Sequence, residues 1–433
     1  MLMPRRAIAA ACIGNLLEWY DFTVYALFAP YIGNSFFPSN DPGAALVKTF
    51  LIFGAGFVVR PLGAMLIGAY GDRAGRKAAL MLTIWIMAAG TLLIAITPGY
   101  AVIGVLAPCL LLVGRLLQGL SAGGEIGSAS AFLAESAEPG ARGGLASWQE
   151  ASMGMSNILG ALVAFTVTAT LPLEQIQSWG WRIPFLVGLL IAPAGLALRR
   201  SLHETADFEA ERARRRSAAI AARSSLWRAL RAHRAALTVG FGLSVLWAVA
   251  VYVLNIYTPV YVQHAFGFTA RQAFAASLVG NVLFVLTCLA AGQLSDRLGR
   301  STMLTAGALA MLVAVLPLYL WLQAQPTTAV LILVQSAFCV MVATFVGVAP
   351  AALADLFPTG IRATGIALVY NGAFVIFGGF SQAILTWFTR QANGSAMAPA
   401  AYVMCAALVA LLTMPQFERR RAAASAAAAQ VPA

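Results

Sequence analysis

The chain has 433 residues, 60% apolar and only 10% charged, and its 28 Lys and Arg exceed its 16 Asp and Glu to give a formal net charge of +12. Soluble domains carry roughly 25% charged residues, so with a mean hydropathy of +0.81 folding in water is excluded. The basic excess then reads as membrane topology rather than as affinity for nucleic acid.

Taken in chain order, apolar runs between turn or charge clusters predict about twelve spanning helices. They lie near 10–36, 45–70, 78–97, 102–136, 147–171, 181–200, 235–263, 272–294, 302–322, 328–356, 363–388 and 397–416. The runs are too long for barrel strands, and open sheet edges do not survive in hydrocarbon. The expected fold is therefore an all-α integral membrane protein. Arg5 and Arg6 ahead of an Ala-rich run imitate a signal peptide, but Glu18 and Asp21 interrupt the apolar segment, and an uncleaved first helix is expected. Cys12, Cys109, Cys288, Cys339 and Cys405 sit in apolar stretches without ligand spacing and read as small hydrophobes. His203, His233 and His264 are too scattered for a metal site. No metal or cofactor is expected. The chain has no phosphate-cradling GxxxxGK[ST] and no nucleophile–base pair, which argues against an enzyme and against nucleotide-driven transport.

Starting the chain in the cytoplasm and crossing twelve times leaves all but six of the 28 basic residues inside: Lys48, Arg182, Arg271 and Arg390 fall outside, and Arg60 and Arg115 lie within spans. Both termini are expected on the cytoplasmic side of a bacterial inner membrane. The polar stretch 201–234, with Arg214-Arg215-Arg216, reads as a cytoplasmic linker between a six-helix bundle over 1–200 and another over 235–416. Residues 417–433 read as a cytoplasmic tail, Ala-rich and mobile from Ala422 to Ala433.

Internal repeats support that division. Asp72, Gly75 and Arg76 reappear as Asp296, Gly299 and Arg300, and Glu135, Gly140 and Arg142 as Asp355, Gly360 and Arg362. Two unrelated signatures repeated at nearly equal offsets imply parallel six-helix halves, an arrangement that places substrate between the halves near midplane.

At these residues the sequence resembles the major facilitator superfamily. Its loop signature is matched by Gly68…Asp72-Arg73…Gly75-Arg76-Lys77, where Lys77 replaces an Arg, and by Gly292…Asp296-Arg297…Gly299-Arg300, which Ser301 follows. Within it, Gly14 to Phe22, Phe57 to Gly63, Gly114 to Gly119, Gly123-Gly124-Glu125 and Arg199 to Thr205 resemble the metabolite:proton symporter family. The resemblance implies a monomeric secondary active transporter that moves a small organic anion with protons by alternating access. Family substrates include citrate and related tricarboxylates, 2-oxoglutarate, shikimate, proline and betaine. The osmolyte branch is associated with a C-terminal coiled coil, and no heptads follow helix 12 here. The stretches Gly114 to Gly123 and Ser178 to Pro184 look most like the citrate and tricarballylate carriers. The alternatives are a symporter for a dicarboxylate such as 2-oxoglutarate or for shikimate, or a proton-independent uniporter.

Ionisable side chains inside a span cost roughly 2.5–3.5 kcal/mol on insertion scales and are functional candidates by default. Here they are Glu18, Asp21, Arg60, Arg115, Glu125 and, nearer the cytoplasmic ends, Glu135, Glu150 and Asp355. Arg60 lies about 11 residues before the loop after helix 2, and Arg115 about 13 residues into helix 4, so at 1.5 Å per residue both reach mid-bilayer. Their planar forks suit a carboxylate; alternatively, each is neutralised by Glu18, Asp21 or Glu125 and ties helices together. Glu18, Asp21 and Tyr25 share a face of helix 1, with Asn15 beside them. Repulsion between carboxylates one turn apart makes Glu18 or Asp21 a proton carrier, or else a structural partner of the arginines. Arg115, Gln118 and Glu125 share a face of helix 4 as a proton route or a buried polar seam. Gly119, Gly123 and Gly127 are a packing strip.

Asp72, Arg73, Arg76, Asp296, Arg297 and Arg300, with Arg142, Arg362 and Glu204, are expected to gate: they close the cytoplasmic edge and part as the halves rock. The C-terminal half offers Tyr252, Asn255, Tyr257, Asn281, Gln335, Tyr370, Asn371 and Gln382. Of these, Tyr252, Asn255, Tyr370 and Asn371 are the candidate substrate contacts, forming a polar, uncharged wall opposite the arginines.

Overall fold

The computed structural model describes residues 5–38, 41–74, 76–123, 130, 133, 137, 140–200, 232–358, 361–391 and 397–429. Among them each predicted run is a rod of helix. In the N-terminal half, α1 is Arg5–Leu27 continued by Ala29–Phe36, and α2 is Pro42–Val58 continued by Arg60–Ala74. Then come α3 (Arg76–Ile96), α4 (Leu106–Ala122), α5 (Arg142–Thr170) and α6 (Ile183–Arg200). In the C-terminal half, α7 runs Arg234–Val249, passes through a π-helical stretch Ala250–Tyr257 and ends as Thr258–Ala265. It is followed by α8 (Ala270–Leu298), α9 (Arg300–Ala324) and α10 (Thr328–Val346, then Ala349–Leu356). Next, α11 is Arg362–Ala373, a π stretch Phe374–Gly379 and Ser381–Thr389, and α12 is Ala398–Ala429.

Eight of these rods are long and apolar enough to cross a bilayer, and Met81–Ile96, Leu106–Ala122 and Gly180–Leu190 are shorter apolar helices. With α1, whose middle carries Asn15, Glu18 and Asp21, they make twelve. The chemistry is turned inside out, as lipid requires: Leu190 is 78% and Leu412 69% exposed, while Arg60, Arg115 and Gln118 are fully buried. Helix ends differ from the sequence reading at specific places. Pro61 cannot donate to the helical ladder, and α2 breaks at Val59. Instead of stopping at 416, α12 continues through the alanines to Ala429, alanine being the strongest helix former. Most of the expected linker, along with Glu125, Glu135 and Glu204, lies outside the described residues.

The halves meet along α5 with α8, α2 with α11, and α1 with the π stretch of α7. The sequence repeat equates α2 with α8 and α5 with α11, so the first two are one contact made twice. At one end, a Cβ on Gly143 of α5 would lie 2.4 Å from the Gly292 carbonyl of α8. At the other, Phe380 of α11 covers Gly54 of α2, and Arg390 reaches over Gly43 to Asp41. Contacts thus bridge the halves at both ends, and Arg60 and Arg115 between them are closed off from solvent.

Candidate transport site

The site starts from glycine. A Cβ on Gly119 would sit 1.8 Å from the Gly56 carbonyl, and one on Gly123 1.9 Å from the Arg60 carbonyl. Only hydrogen at these positions lets the backbones of α2 and α4 touch, as small residues do at membrane helix crossings. That contact brings Arg60 and Arg115 together.

Arg60 Nη2 lies 3.3 Å from Glu18 Oε1 on α1. Its guanidinium carbon stands 4.7 Å from the ring centre of Phe22 and 4.2 Å from that of Phe57. Arg115 Nη1 donates to Gln118 Oε1 at 2.6 Å. Its guanidinium lies over Phe22, Tyr25 and Phe53 at 4.6, 4.4 and 4.8 Å. Phe22 is therefore shared by both cations. Cation–π contact is worth about 2 kcal/mol or more when desolvated, which offsets part of the burial cost. Nε and Nη2 of Arg115, like Nε and Nη1 of Arg60, have no hydrogen-bond partner. Donors of this kind, held without acceptors in a closed site, are the chemistry that receives a carboxylate.

Asp21, one turn on, bonds to α3 and α4. It accepts from the Thr91 hydroxyl of α3 and from Gln118 Nε2 at 3.3 Å, and Gln118 Nε2 also donates to Thr91 Oγ1 at 2.9 Å. Gln118 thus links Asp21 to Arg115. One of the alternatives open from the sequence is realised at Arg60: an isolated guanidinium in hydrocarbon is costly, and α1 supplies Glu18 as its carboxylate partner. Asp21 has partners of its own on α3 and α4.

Of the other candidates, Tyr25 donates to the Thr49 carbonyl at 3.1 Å and stays beside Arg115. Asn15 does not join the arginines; its Nδ2 ties α1 to α5 through the Gln149 carbonyl and Ser152 Oγ, both at 2.8 Å. Across the interface, Tyr252 in the π stretch of α7 packs 5.3 Å from Phe57 and 5.8 Å from Trp19, its buried hydroxyl toward Arg60. Tyr370 stacks on Phe374 at 3.7 Å and meets Trp247 at 5.0 Å. Asn255 turns toward Cys339 at 3.8 Å, and Asn371 is buried. The wall opposite the arginines is therefore aromatic more than amide.

Sequence reasoning missed Phe22, Phe53, Phe57 and Thr91. The spacing of Phe53, Phe57 and Arg60 (i, i+4, i+7) puts them on one helix face and would have revealed two of these. No local signal marks the π stretches, although such bulges gather at functional sites.

At the far end of α8, Asp296 accepts from the backbone N–H groups of Gly143 and Gly144 at 2.8 and 2.9 Å, across the halves at the start of α5. Arg300 joins Asp296 at 3.2 Å and Asp355 at 2.6 Å, and Arg142 approaches Asp355 at 3.9 Å. Arg297 points to the exterior. Arg362 donates to the Ala354 and Phe357 carbonyls at the end of α10, within its own half. The side chains of Asp72, Arg73 and Arg76 lie outside the described residues.

Residues 11–381 match the family described as Major Facilitator Superfamily. The chain belongs to that superfamily. Among its relatives is a citrate-proton symporter of Salmonella typhi, 38% identical over 94% of this chain and 92% of that protein. An alpha-ketoglutarate permease of Escherichia coli is 34% identical over 96% of this chain and 94% of its own length. A proline/betaine transporter of Escherichia coli is 33% identical over 94% and 82%. In fold the superfamily member aligns with a crystal structure of a D-xylose-proton symporter, with a TM-score of 0.76, 20% identity and coverage of 95% and 97%.

Proposed function

We propose that this superfamily member imports a small organic carboxylate, citrate or a related tricarboxylate, together with protons by alternating access. The observation that carries the reading is the pair Arg60 and Arg115, buried side by side on Phe22 with guanidinium nitrogens lacking acceptors. Its similarity to proteins named citrate-proton symporters supports the same chemistry.

Coupling follows from charge balance. Two guanidiniums share the site with Glu18 and Asp21, so a fully ionised site is already neutral. An arriving carboxylate competes with Glu18 for Arg60, and a proton on Glu18 releases the arginine to the substrate. Asp21 is linked to Arg115 through Gln118 rather than by a direct ion pair. Glu18 and Asp21 also line a cleft of about 30 Å³ with Thr83 and Thr91, room for a water that could relay the proton. Bringing an anion in against a negative-inside potential costs about 2.3 kcal/mol per charge per 100 mV, and co-transported protons cancel that cost. Both termini and the Asp296 end are assigned to the cytoplasm of a bacterial inner membrane by the distribution of basic residues, which makes Asp41 and Arg390 external. Asp296, Arg300 and Arg142 then form the inner gate.

A dicarboxylate such as 2-oxoglutarate is the second reading, favoured by similarity to the alpha-ketoglutarate permease. Proteoliposomes loaded with a pH dye and offered citrate, tricarballylate or 2-oxoglutarate decide between them. Accumulation of a tricarboxylate with acidification inside is expected; accumulation without proton movement would overturn symport in favour of a uniporter.

A further inference from the structure

A second cavity lies away from Arg60 and Arg115, between α2, α7 and α11 at the end carrying Asp41. Its volume is about 340 Å³, inside the roughly 300–1,000 Å³ range of small-molecule clefts. Tyr257, Tyr261, His264, Thr386, Thr389 and Arg390 line it. The Tyr257 and Thr386 hydroxyls bond to each other and Thr389 donates to backbone carbonyls, so the groups that suit an anion here are the Arg390 guanidinium and the His264 imidazole. Arg390 is bonded to Asp41 of the other half, and their side chains are 35% and 52% exposed. An exposed ion pair is worth only about 0–1 kcal/mol, so a polyanion can displace Asp41 from it. Gly43, whose Cβ would fall 2.3 Å from Arg390 Nε, leaves the room that lets Arg390 cross.

We propose that this cavity is an external capture site for a carboxylate-bearing anion, in which a substrate carboxylate replaces Asp41 on Arg390 and thereby unfastens the outer end of the two halves. The inference rests on the carboxylate reading above and adds a second site to it. Asp41 plays the part of a built-in competitor: it holds the halves together until an anion takes its arginine. His264 is exposed at the mouth and reports occupancy.

The test uses purified full-length protein with citrate as probe and diethyl pyrocarbonate modification of His264, read by peptide mass spectrometry at fixed ionic strength. Citrate should protect His264 in the parent. Protection should need at least tenfold more citrate in Arg390→Gln and several-fold less in Asp41→Asn, and should persist in Arg115→Ala, which alters the central site only. In proteoliposomes the apparent KM should move in opposite directions in Arg390→Gln and Asp41→Asn. A plain latch requires both variants to behave alike, because each breaks the same bond; identical shifts, or no protection of His264, would overturn the capture site. Protection without uptake of any carboxylate would sink the transport reading and leave the site standing.

Discussion

Arg60 of α2 and Glu18 of α1 form an ion pair at 3.3 Å in which both side chains are withdrawn from solvent. Breaking a buried pair by removing one partner typically costs about 3–5 kcal/mol, because the survivor is left charged and alone. Glu18→Ala should therefore lower thermal stability in detergent by that order. The double variant Glu18→Gln/Arg60→Gln should recover most of the loss yet fail to transport. If the double variant is as unstable as the single, the pair is not what holds α1 to α2.

Arg115 rests on three aromatic faces, a stacking that a planar guanidinium makes and an ammonium does not. Arg115→Lys should keep the charge but lose at least tenfold in citrate affinity, about 1.4 kcal/mol, and lower the melting temperature as well, since the stacking that offsets burial goes with it. Calorimetric titration checks this; full affinity in the lysine variant would remove Arg115 from substrate recognition.

Gly119 tests whether helix contact positions the arginines. Gly119→Ala drives a methyl to 1.8 Å from the Gly56 carbonyl, whereas at Gly372 the nearest atom is on the Phe241 ring at 3.4 Å. Gly119→Ala should lose stability and binding together, and Gly372→Ala should behave like the parent. A melting curve for each, with citrate present and absent, separates them.

Asp296 should govern rate more than affinity. Asn in its place retains one acceptor for the Gly143 or Gly144 N–H and loses the negative charge at the start of α5, where the helix dipole favours an anion. Asp296→Asn should bind citrate nearly as the parent does while net uptake and counterflow change relative to one another. An affinity loss as large as the rate change would assign Asp296 to the binding site.

The Asp41–Arg390 pair has a defined pH signature. The hydrogen bond from Arg390 holds the Asp41 carboxyl below its ordinary value of 3.8. A lowered value means that the pair's contribution is intact above the ordinary carboxylate range and is lost only as pH falls through the lowered value. Asp41→Asn should thus leave the shape of the uptake–pH curve around neutrality unchanged, whatever it does to KM. A shifted curve near neutral pH would mean that Asp41 takes part in proton coupling.

Much was legible from residues alone, because it is local or periodic. Long apolar runs demand helices in lipid, the repeated Asp–Gly–Arg signatures expose two halves, and an arginine in the middle of a span marks itself by its cost. The glycines of α4 announced a close crossing by spacing alone, and the crossing is there at Gly119 and Gly123. What tertiary structure decided is who meets whom. Glu18 and Asp21, one turn apart on α1, take different partners because α2 presents Arg60 to the first, while α3 and α4 present Thr91 and Gln118 to the second. Phe22 becomes the shared face of two cations only once α1, α2 and α4 converge. The bond between Asp41 and Arg390 joins residues far apart in sequence, and no periodicity carries such a contact: pairing between distant segments depends on how whole helices tilt and break, which in α2 turns on Pro61 and in α7 and α11 on an extra residue in the helical turn.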